Sequence, residues 1–414
     1  MQDFSDYGAL RRRRGSGSWL THAIVAVLAA GVALAVVLGF FSPASGGSQP
    51  GSGAVPAPPA SAAPLASGQQ DIVSKVRPGL VLINTTLQYN SEAAAGTGMV
   101  INADGLVLTN NHVIEGSTKI TATVISTGKT YQARVVGYDD TGDVALIQLQ
   151  NASGLTTVPI GNSSSVKAGN AVVALGNAEG QGKITATAGH VTALNTTISA
   201  SDEAGSTSTE TLHGMIQTNA DIVPGDSGGP LASSAGVIGM DTAGNDAGDQ
   251  QGPAAGFAIP INTALSVARQ IAVGHASSAI TIGYPPFVGV FIGSGSSSNP
   301  QTQAQQQQNG ASSGSGSTPG CYSSNTDLTV PSSIAPVSSG TLIDGTICGS
   351  PAAAAGLTGG AVITAVNGQA VGSPEDFAST MTRFRPGDTI SVTWVSPSGQ
   401  RATSNLHLTA GPPQ

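Results

Sequence analysis

The stretch GDSGGPL at residues 225–231 constrains this chain more than any other, because its glycines prevent a regular helix or strand from running through it. Such a backbone bends and presents the hydroxyl of Ser227, which is our candidate nucleophile. Gly225 lets the chain turn so that the N–H groups of Gly225 and Ser227, on either side of Asp226, can stabilise a carbonyl oxygen that becomes negative. A bare Gly-x-Ser-Gly would equally suit a turn between strands, but the full motif is much more specific.

A serine hydroxyl needs a base and a group that orients the base before it can attack a peptide. His112 ends an apolar strand that runs into a turn, a setting that the other five histidines lack. Asp143 stands at the mouth of the apolar strand 143–149, where a partly buried carboxylate can accept the imidazole N–H. Asp139 and Asp140 are rivals, but they lie in a polar turn. The order His, Asp, Ser is that of chymotrypsin.

Four motifs together resemble the HtrA/Deg serine proteases: LTNNHVIEG, DVALIQL, IQTNADIVPGDSGGPL and GFAIPIN, in this order within about residues 70–270. The resemblance implies a trypsin-like double β-barrel followed by a PDZ domain, with His112, Asp143 and Ser227 as the catalytic triad. It also assigns Gly225, Asp226 and Ser227 to the oxyanion loop. Asp226 departs from the family, which more often has asparagine there.

Composition supports a mostly β chain. Its 414 residues allow two or more domains, and 56 glycines and 24 prolines with 4% aromatic residues favour short strands and many turns. Short apolar or alternating runs fall into two sets, before and after about residue 165, as two barrels require. The predicted protease domain spans residues 71–275 and ends in a helix from Asn262 to Val273. A net charge of −8 with 9% charged residues argues against a nucleic-acid partner.

The N-terminal region predicts a membrane anchor. Residues 1–18 include four arginines and precede the apolar span Trp19–Phe41, which is long enough for a transmembrane helix. The arginines predict a cytoplasmic tail, so that the catalytic domain would be extracytoplasmic in a single-pass protein of the cell membrane. A cleaved signal peptide is the alternative. Residues 42–70, rich in Pro, Ala, Gly and Ser, read as a flexible linker.

Residues 280–410 resemble a PDZ domain. Its peptide-binding loop would be Phe287, Val288, Gly289 and Val290, which offers backbone amides to a C-terminal carboxylate. Pro374–Arg383 would be the helix that lines the groove. The Ser, Gly and Gln-rich segment at about residues 294–320 is predicted to be a disordered insertion.

The two cysteines, Cys321 and Cys348, follow this insertion in a region that the topology places outside the cell. We expect a disulfide that closes a loop of roughly 28 residues and contributes on the order of 3 kcal/mol. Two free thiols or a metal site are the alternatives, and two thiols alone make a poor zinc site.

The sequence therefore predicts a membrane-anchored serine endopeptidase without a cofactor or metal. By resemblance, it would cleave unfolded or misfolded proteins in envelope quality control or stress response, bind C-terminal peptides at the PDZ domain and form a homotrimer. The rival hypothesis is a proteolytically silent peptide-binding scaffold or chaperone. Asp221 is the one acid that could select a basic side chain in the primary pocket, although a turn role is the simpler interpretation and the resemblance implies a small aliphatic preference.

Overall fold

The computed structural model describes residues 65–87, 89, 92–201, 209–245, 255–292, 297–308, 321–324, 328 and 331–413. The predicted cytoplasmic tail and the span Trp19–Phe41 lie outside these residues. Within the described residues, no helix is long and apolar enough to cross a membrane. The predicted linker is too long by a few residues at its C-terminal end, because helix α1 (Ser67–Val76) already begins there and buries Ile72 and Val76.

Six antiparallel strands close the first barrel in the order β5-β4-β1-β2-β3-β6, with β6 pairing back to β5. Their bounds are β1 Leu80–Leu87, β2 Glu92–Asn102, β3 Leu106–Thr109, β4 Lys119–Val124, β5 Thr130–Asp139 and β6 Val144–Leu149. Gly105 at φ +89° makes the tight turn between β2 and β3, a backbone conformation that glycine adopts without strain.

A second closed barrel follows in the order β10-β11-β12-β9-β8-β7. Its strands are β7 Ala171–Gly176, β8 Thr185–Ser201, β9 Thr209–Thr218, β10 Pro230–Ser233, β11 Gly236–Asn245 and β12 Ala255–Pro260. Helix α2 (Ile261–Ala272) comes next, within one residue of the predicted bounds. Strand β13 (Ile280–Ile282) then returns to the first barrel and pairs with β5.

Strands β1, β3 and β6 of the first barrel have continuous buried runs, and their sequences show why. In β1, Val81 and Ile83 belong to a core cluster drawn from the first barrel, whereas Leu80 and Leu82 join a cluster shared by both barrels. Neighbouring side chains on a strand point to opposite faces, so a continuous apolar run serves two cores. The shared cluster holds the barrels together and places the end of β3 beside the segment before β10.

The remainder of the chain forms a C-terminal module, residues 286–413. Its strands are β14 Pro286–Phe287, β15 Val290–Phe291, β16 Thr341–Leu342, β17 Gly345–Thr346, β18 Val362–Val366, β19 Gln369–Ala370, β20 Thr389–Val395, β21 Arg401–His407 and β22 Thr409–Ala410. Its helices are α3 Pro300–Gln308, α4 Pro351–Ala354 and α5 Pro374–Met381. Helix α5 was predicted at this place; Ser373 caps its N-terminus by accepting from the Asp376 N–H.

The prediction of a disordered segment at 294–320 is wrong where α3 forms. The Gln303 side-chain amide is buried, donates to the carbonyl oxygens of Ser297 and Gly340 and accepts from the Leu342 N–H. Ala304 packs in a small apolar cluster with Leu342. One glutamine that satisfies three backbone groups therefore docks a segment whose composition alone suggests disorder. Residues 293–296 and 309–320 lie outside the described residues.

Candidate active site

His112 and Asp143 meet at the end of the first barrel. Strand β3 ends at Thr109, and the turn after it carries His112, whose Nδ1 lies 3.0 Å from both Oδ1 and Oδ2 of Asp143. The backbone N–H of His112 donates to the same Oδ1 at 3.1 Å. The Asp143 side chain is 2% exposed and that of His112 is 30% exposed. The carboxylate is thus held inside the protein while part of the imidazole faces solvent.

Ser227 is tied to this pair through a single residue, Thr242 on β11. The Thr242 hydroxyl donates to Oδ2 of Asp143, and the Thr242 carbonyl oxygen accepts from the Ser227 hydroxyl at 3.3 Å. The structure therefore brings together all three residues that the sequence predicted. Among the described residues, the hydrogen-bond acceptor of the Ser227 hydroxyl is this carbonyl rather than His112.

Thr97 on β2 fastens the segment that contains Ser227 to the first barrel. Its N–H donates to the Ser227 carbonyl oxygen at 2.9 Å, and its hydroxyl donates to the Gly225 carbonyl oxygen at 2.8 Å. The same hydroxyl accepts from the Asn177 N–H at 2.9 Å. Thr97 is fully buried, and its own carbonyl oxygen accepts from the Thr109 hydroxyl at 2.7 Å. These bonds cross the boundary between the two barrels.

The backbone around Ser227 has the conformation that its glycines suggested. Gly225 and Gly228 have φ values of +91° and +82°. A Cβ on Gly228 would lie 2.1 Å from the Thr97 carbonyl oxygen, so only glycine fits there. No described residue accepts a hydrogen bond from the N–H of Gly225 or of Ser227, so both donors remain available to a bound group.

Asp226 is buried between these two residues. Its N–H donates to the Val223 carbonyl oxygen, and its Oδ2 accepts from the Val223 N–H at 3.1 Å. Two hydrogen bonds between the same two residues therefore close this turn. Burial raises the pKa of Asp226 to about 6, with a further rise from Asp221 and an opposing effect of the Val223 N–H. Burial, followed by the charge of Asp226, raises the pKa of Asp241 on β11 well above its ordinary value.

The predicted peptide-binding loop lies in the C-terminal module. Gly289 has φ +79°, and its carbonyl oxygen accepts from the Ile347 N–H and the Ser350 hydroxyl. Val288 is buried in one cluster with Phe377 and Met381 of helix α5. Phe287 pairs with Thr409 at the edge of the module, and Val290 pairs with Thr346.

The expected disulfide is present. Cys321 and Cys348 are bonded with their Cα atoms 4.9 Å apart. The described residues contain no group of three or more potential metal ligands.

Sequence reasoning missed the residues that hold the site together. Thr97, Thr242 and Asp241 each lie in an ordinary strand sequence, and nothing local marks them. Asn110 donates from its side-chain amide to the Asp143 carbonyl oxygen at 2.9 Å, and only its place two residues before His112 could have suggested this role. Asp221, the candidate for the primary pocket, is exposed in the stretch before Ser227.

Two six-stranded β-barrels with this site between them define a trypsin-like serine peptidase, and comparisons with known proteins agree. The family described as trypsin-like peptidase domain matches residues 96–240. The serine protease PepD of Mycobacterium tuberculosis is 31% identical over 422 residues, which cover 97% of this chain and 80% of PepD.

The periplasmic pH-dependent serine endoprotease DegQ of Escherichia coli is 40% identical over 183 residues, but the match covers 42% of this chain and 37% of DegQ. A solved structure, the HtrA-type protease AlgW with decapeptide, is 24% identical with a TM-score of 0.43, covering 84% of this chain and 99% of AlgW. Because this TM-score is below 0.5, the family assignment rests on the relatives found by sequence. The chain belongs to the HtrA family of serine proteases.

Proposed function

We propose that this protein is a serine endopeptidase in which Ser227 attacks the peptide carbonyl carbon. His112 takes the hydroxyl proton as the Ser227 oxygen bonds to carbon, and then delivers that proton to the leaving amine as the peptide C–N bond breaks. Water hydrolyses the acyl-enzyme by the same route in reverse. Asp143 orients His112, and the N–H groups of Gly225 and Ser227 stabilise the oxyanion.

The single observation that supports this mechanism best is the bridge that Thr242 makes between Asp143 and Ser227. It connects three residues from different elements in one hydrogen-bonded chain that ends at a partly exposed imidazole. A buried carboxylate that accepts from the imidazole Nδ1 leaves Nε2 as the base. The two unbonded N–H groups beside Ser227 supply donors where the oxyanion would form.

We further propose that the C-terminal module is a PDZ domain that binds peptide C-termini through Phe287, Val288, Gly289 and Val290 and regulates cleavage. The positive φ of Gly289 and the apolar contacts of Val288 with helix α5 support a loop beside an apolar groove. Unfolded or misfolded proteins would be the substrates.

The proposed location is the outer side of a membrane, where the protein would act in envelope quality control or stress response, anchored by Trp19–Phe41. The disulfide supports an oxidising compartment. A homotrimer is proposed from the family relationship alone.

Cleavage of casein, an unfolded substrate, by the full-length protein tests the central proposal. We expect activity in the wild type and its loss, by about 10⁴-fold or more, in Ser227→Ala. Asp104→Asn, at an exposed turn, is the control and should cleave normally. Absence of cleavage in the wild type, even with added C-terminal peptides, would favour the silent scaffold.

Binding of a fluorescent peptide tests the PDZ proposal. A peptide with a free C-terminus should bind, and its amidated form should bind at least about tenfold more weakly, because the loop would recognise a carboxylate. Equal binding of both peptides would contradict the proposal without affecting the protease mechanism.

A further inference from the structure

Two buried carboxyl groups lie next to the residues of the candidate site: Asp226 directly precedes Ser227, and Asp241 directly precedes Thr242. Asp226 is 4% exposed and Asp241 is 0% exposed. Among the described residues, Oδ1 of Asp226 and both carboxyl oxygens of Asp241 have no hydrogen-bond donor. Buried polar atoms are nearly always hydrogen-bonded, so three orphan oxygens in one place require an explanation.

A neighbouring cation does not explain these three carboxyl oxygens. Neither Asp226 nor Asp241 forms an ion pair within 4.0 Å with a described residue. The charged groups that act on the pair are themselves acidic: Asp221 acts on Asp226, and Asp226 acts on Asp241. Two neighbouring buried carboxylates cannot both be ionised cheaply, and a proton is the smallest group that neutralises one of them.

Both residues are fixed to the backbone that carries Ser227. The Asp226 carbonyl oxygen accepts from the Gly229 N–H, and the Gly229 carbonyl oxygen accepts from the Asp241 N–H. The Asp241 carbonyl oxygen in turn accepts from the Gly228 N–H at 2.9 Å. Asp226 and Asp241 therefore lie on the two sides of one short ladder of backbone hydrogen bonds, and Asp241 directly precedes Thr242.

We propose that Asp226 and Asp241 are positioning residues that share one proton, held by Asp241 as a carboxylic acid that donates to the Asp226 carboxylate. The O–H···O bond would satisfy Oδ1 of Asp226 and one oxygen of Asp241. It would tie the oxyanion loop to β11, which carries Thr242. An asparagine at either position could make an equivalent hydrogen bond with its side-chain amide.

The pKa values of the two groups, both raised by burial, agree with a single proton that is held by Asp241. Burial raises the pKa of Asp226 to about 6 and that of Asp241 well above its ordinary value, so Asp226 is the member of the pair that ionises near neutral pH and Asp241 is the one that would hold the shared proton. At alkaline pH the pair would lose its proton, and repulsion between two buried carboxylates would displace the oxyanion loop. The activity should fall there for a reason independent of His112.

Infrared spectroscopy tests the shared proton without reference to activity. The full-length Ser227→Ala protein, which cannot digest itself under the proposed mechanism, should show the carbonyl stretching band of a buried carboxylic acid near neutral pH. Asp241→Asn added to it should remove that band, whereas Asp104→Asn should leave it unchanged. A band that persists in the Asp241→Asn protein, or that is absent from the start, would overturn the proposal.

The positioning role rests on the proposed function and is tested in the protein with Ser227 intact. Asp241→Asn should keep kcat/KM within about threefold near neutral pH, whereas Asp241→Leu, which has no donor, should lose about 10². The ratio of the Asp241→Asn activity to that of the wild type should rise up to tenfold per pH unit once the pair loses its proton. Asparagine and leucine variants with equal activity, or a ratio that does not change with pH, would overturn the positioning role.

These measurements separate two possible failures. An inactive wild type with the infrared band intact would contradict the proposed function and leave the shared proton standing. If Asp241→Leu fails to fold, the Asp226→Asn/Asp241→Asn variant decides, because an amide pair should be active without the alkaline loss, and an inactive but folded double variant would overturn the positioning role.

Discussion

At the scale of single residues, the site depends on two threonines that bridge other groups. The Thr97 hydroxyl donates to the Gly225 carbonyl oxygen and accepts from the Asn177 N–H, whereas Thr242 binds Asp143 through its hydroxyl and Ser227 through its carbonyl oxygen. A hydroxyl has one proton and two lone pairs, so it can donate to one buried group while it accepts from another, as that of Thr97 does. Removal of such a hydroxyl leaves buried backbone groups unsatisfied, which costs more than the hydrogen bond itself contributes.

The first prediction concerns Thr97. Thr97→Val keeps the shape but deprives the Gly225 carbonyl oxygen and the Asn177 N–H of their partner, so the oxyanion loop should be displaced. We expect kcat to fall about 10²-fold with little change in KM. Thr97→Ser keeps the hydroxyl and should restore most of the activity. Steady-state kinetics decide, and a serine variant as impaired as the valine variant would show that the methyl group matters instead.

The second prediction concerns the pH dependence of stability through Asp226. Its pKa is about 6 in the folded protein and about 3.9 when unfolded, so the folded state binds the proton more tightly. The stability that protonation contributes is complete below about pH 4 and is lost as the pH rises to about 6. Asp226→Asn should therefore gain stability over the wild type near neutral pH, on the order of 2 kcal/mol, and little near pH 4.

Urea unfolding of the two proteins at both pH values, in the Ser227→Ala background, measures this difference. Asp104→Asn is the control and should follow the wild type at each pH. A gain of equal size at acid and neutral pH would mean that the amide acts through packing and not through the charge of Asp226.

At the scale of elements, the disulfide holds a short segment against the C-terminal module. Tyr322 forms a parallel bridge with Ile347, and its N–H donates to the Thr346 carbonyl oxygen beside strand β17. A two-residue strand cannot hold such a segment by itself, because few hydrogen bonds offset the conformational entropy of ordering it. The bond between Cys321 and Cys348 restricts the unfolded chain instead.

The third prediction follows from this arrangement. Replacement of both cysteines by serine should destabilise the C-terminal module by about 3 kcal/mol. The chain has two tryptophans, so Trp394 in strand β20 reports on this module alone once Trp19 is replaced by phenylalanine. Its fluorescence in urea gives the midpoint. A reductant should lower the midpoint of the parent protein to that of the serine variant and have no effect on the variant.

At the scale of the whole molecule, the C-terminal module touches the first barrel near the site. Tyr89, in the connection between β1 and β2, stacks on Phe287 with ring centroids 5.7 Å apart. The Gly116 N–H, four residues after His112, donates to the Pro413 carbonyl oxygen at 2.8 Å. The proposed peptide-binding loop therefore contacts the β1–β2 connection, and the end of the module contacts the segment that follows His112.

The fourth prediction is that these contacts couple peptide binding to cleavage. Tyr89→Leu removes the stacked ring and should reduce the activation by a C-terminal peptide about fivefold or more, while cleavage without peptide changes little. Tyr89→Phe keeps the ring and should behave as the wild type. Casein cleavage measured across peptide concentrations tests this, and an unchanged activation ratio in the leucine variant would assign the coupling to other contacts.

Local sequence was sufficient to predict much of the fold and the candidate residues that the fold brings into one site. Short apolar runs between turn residues, such as those of β1 and β6, favour strands buried on both faces, and the glycines around Ser227 permit the backbone that presents its hydroxyl. These properties follow from local sterics and side-chain polarity. They can therefore be read from neighbouring residues without knowledge of the fold.

Only the tertiary structure decided what lies around those residues. Thr97, Asn110, Asp241 and Thr242 acquire their roles because barrel closure brings strands distant in sequence together, and no local pattern encodes such pairings. The helix α3 formed against expectation because Gln303 found three buried backbone partners elsewhere in the module. A hydrogen bond that satisfies a buried group depends on which chain segment arrives opposite it, and that is a property of the folded molecule.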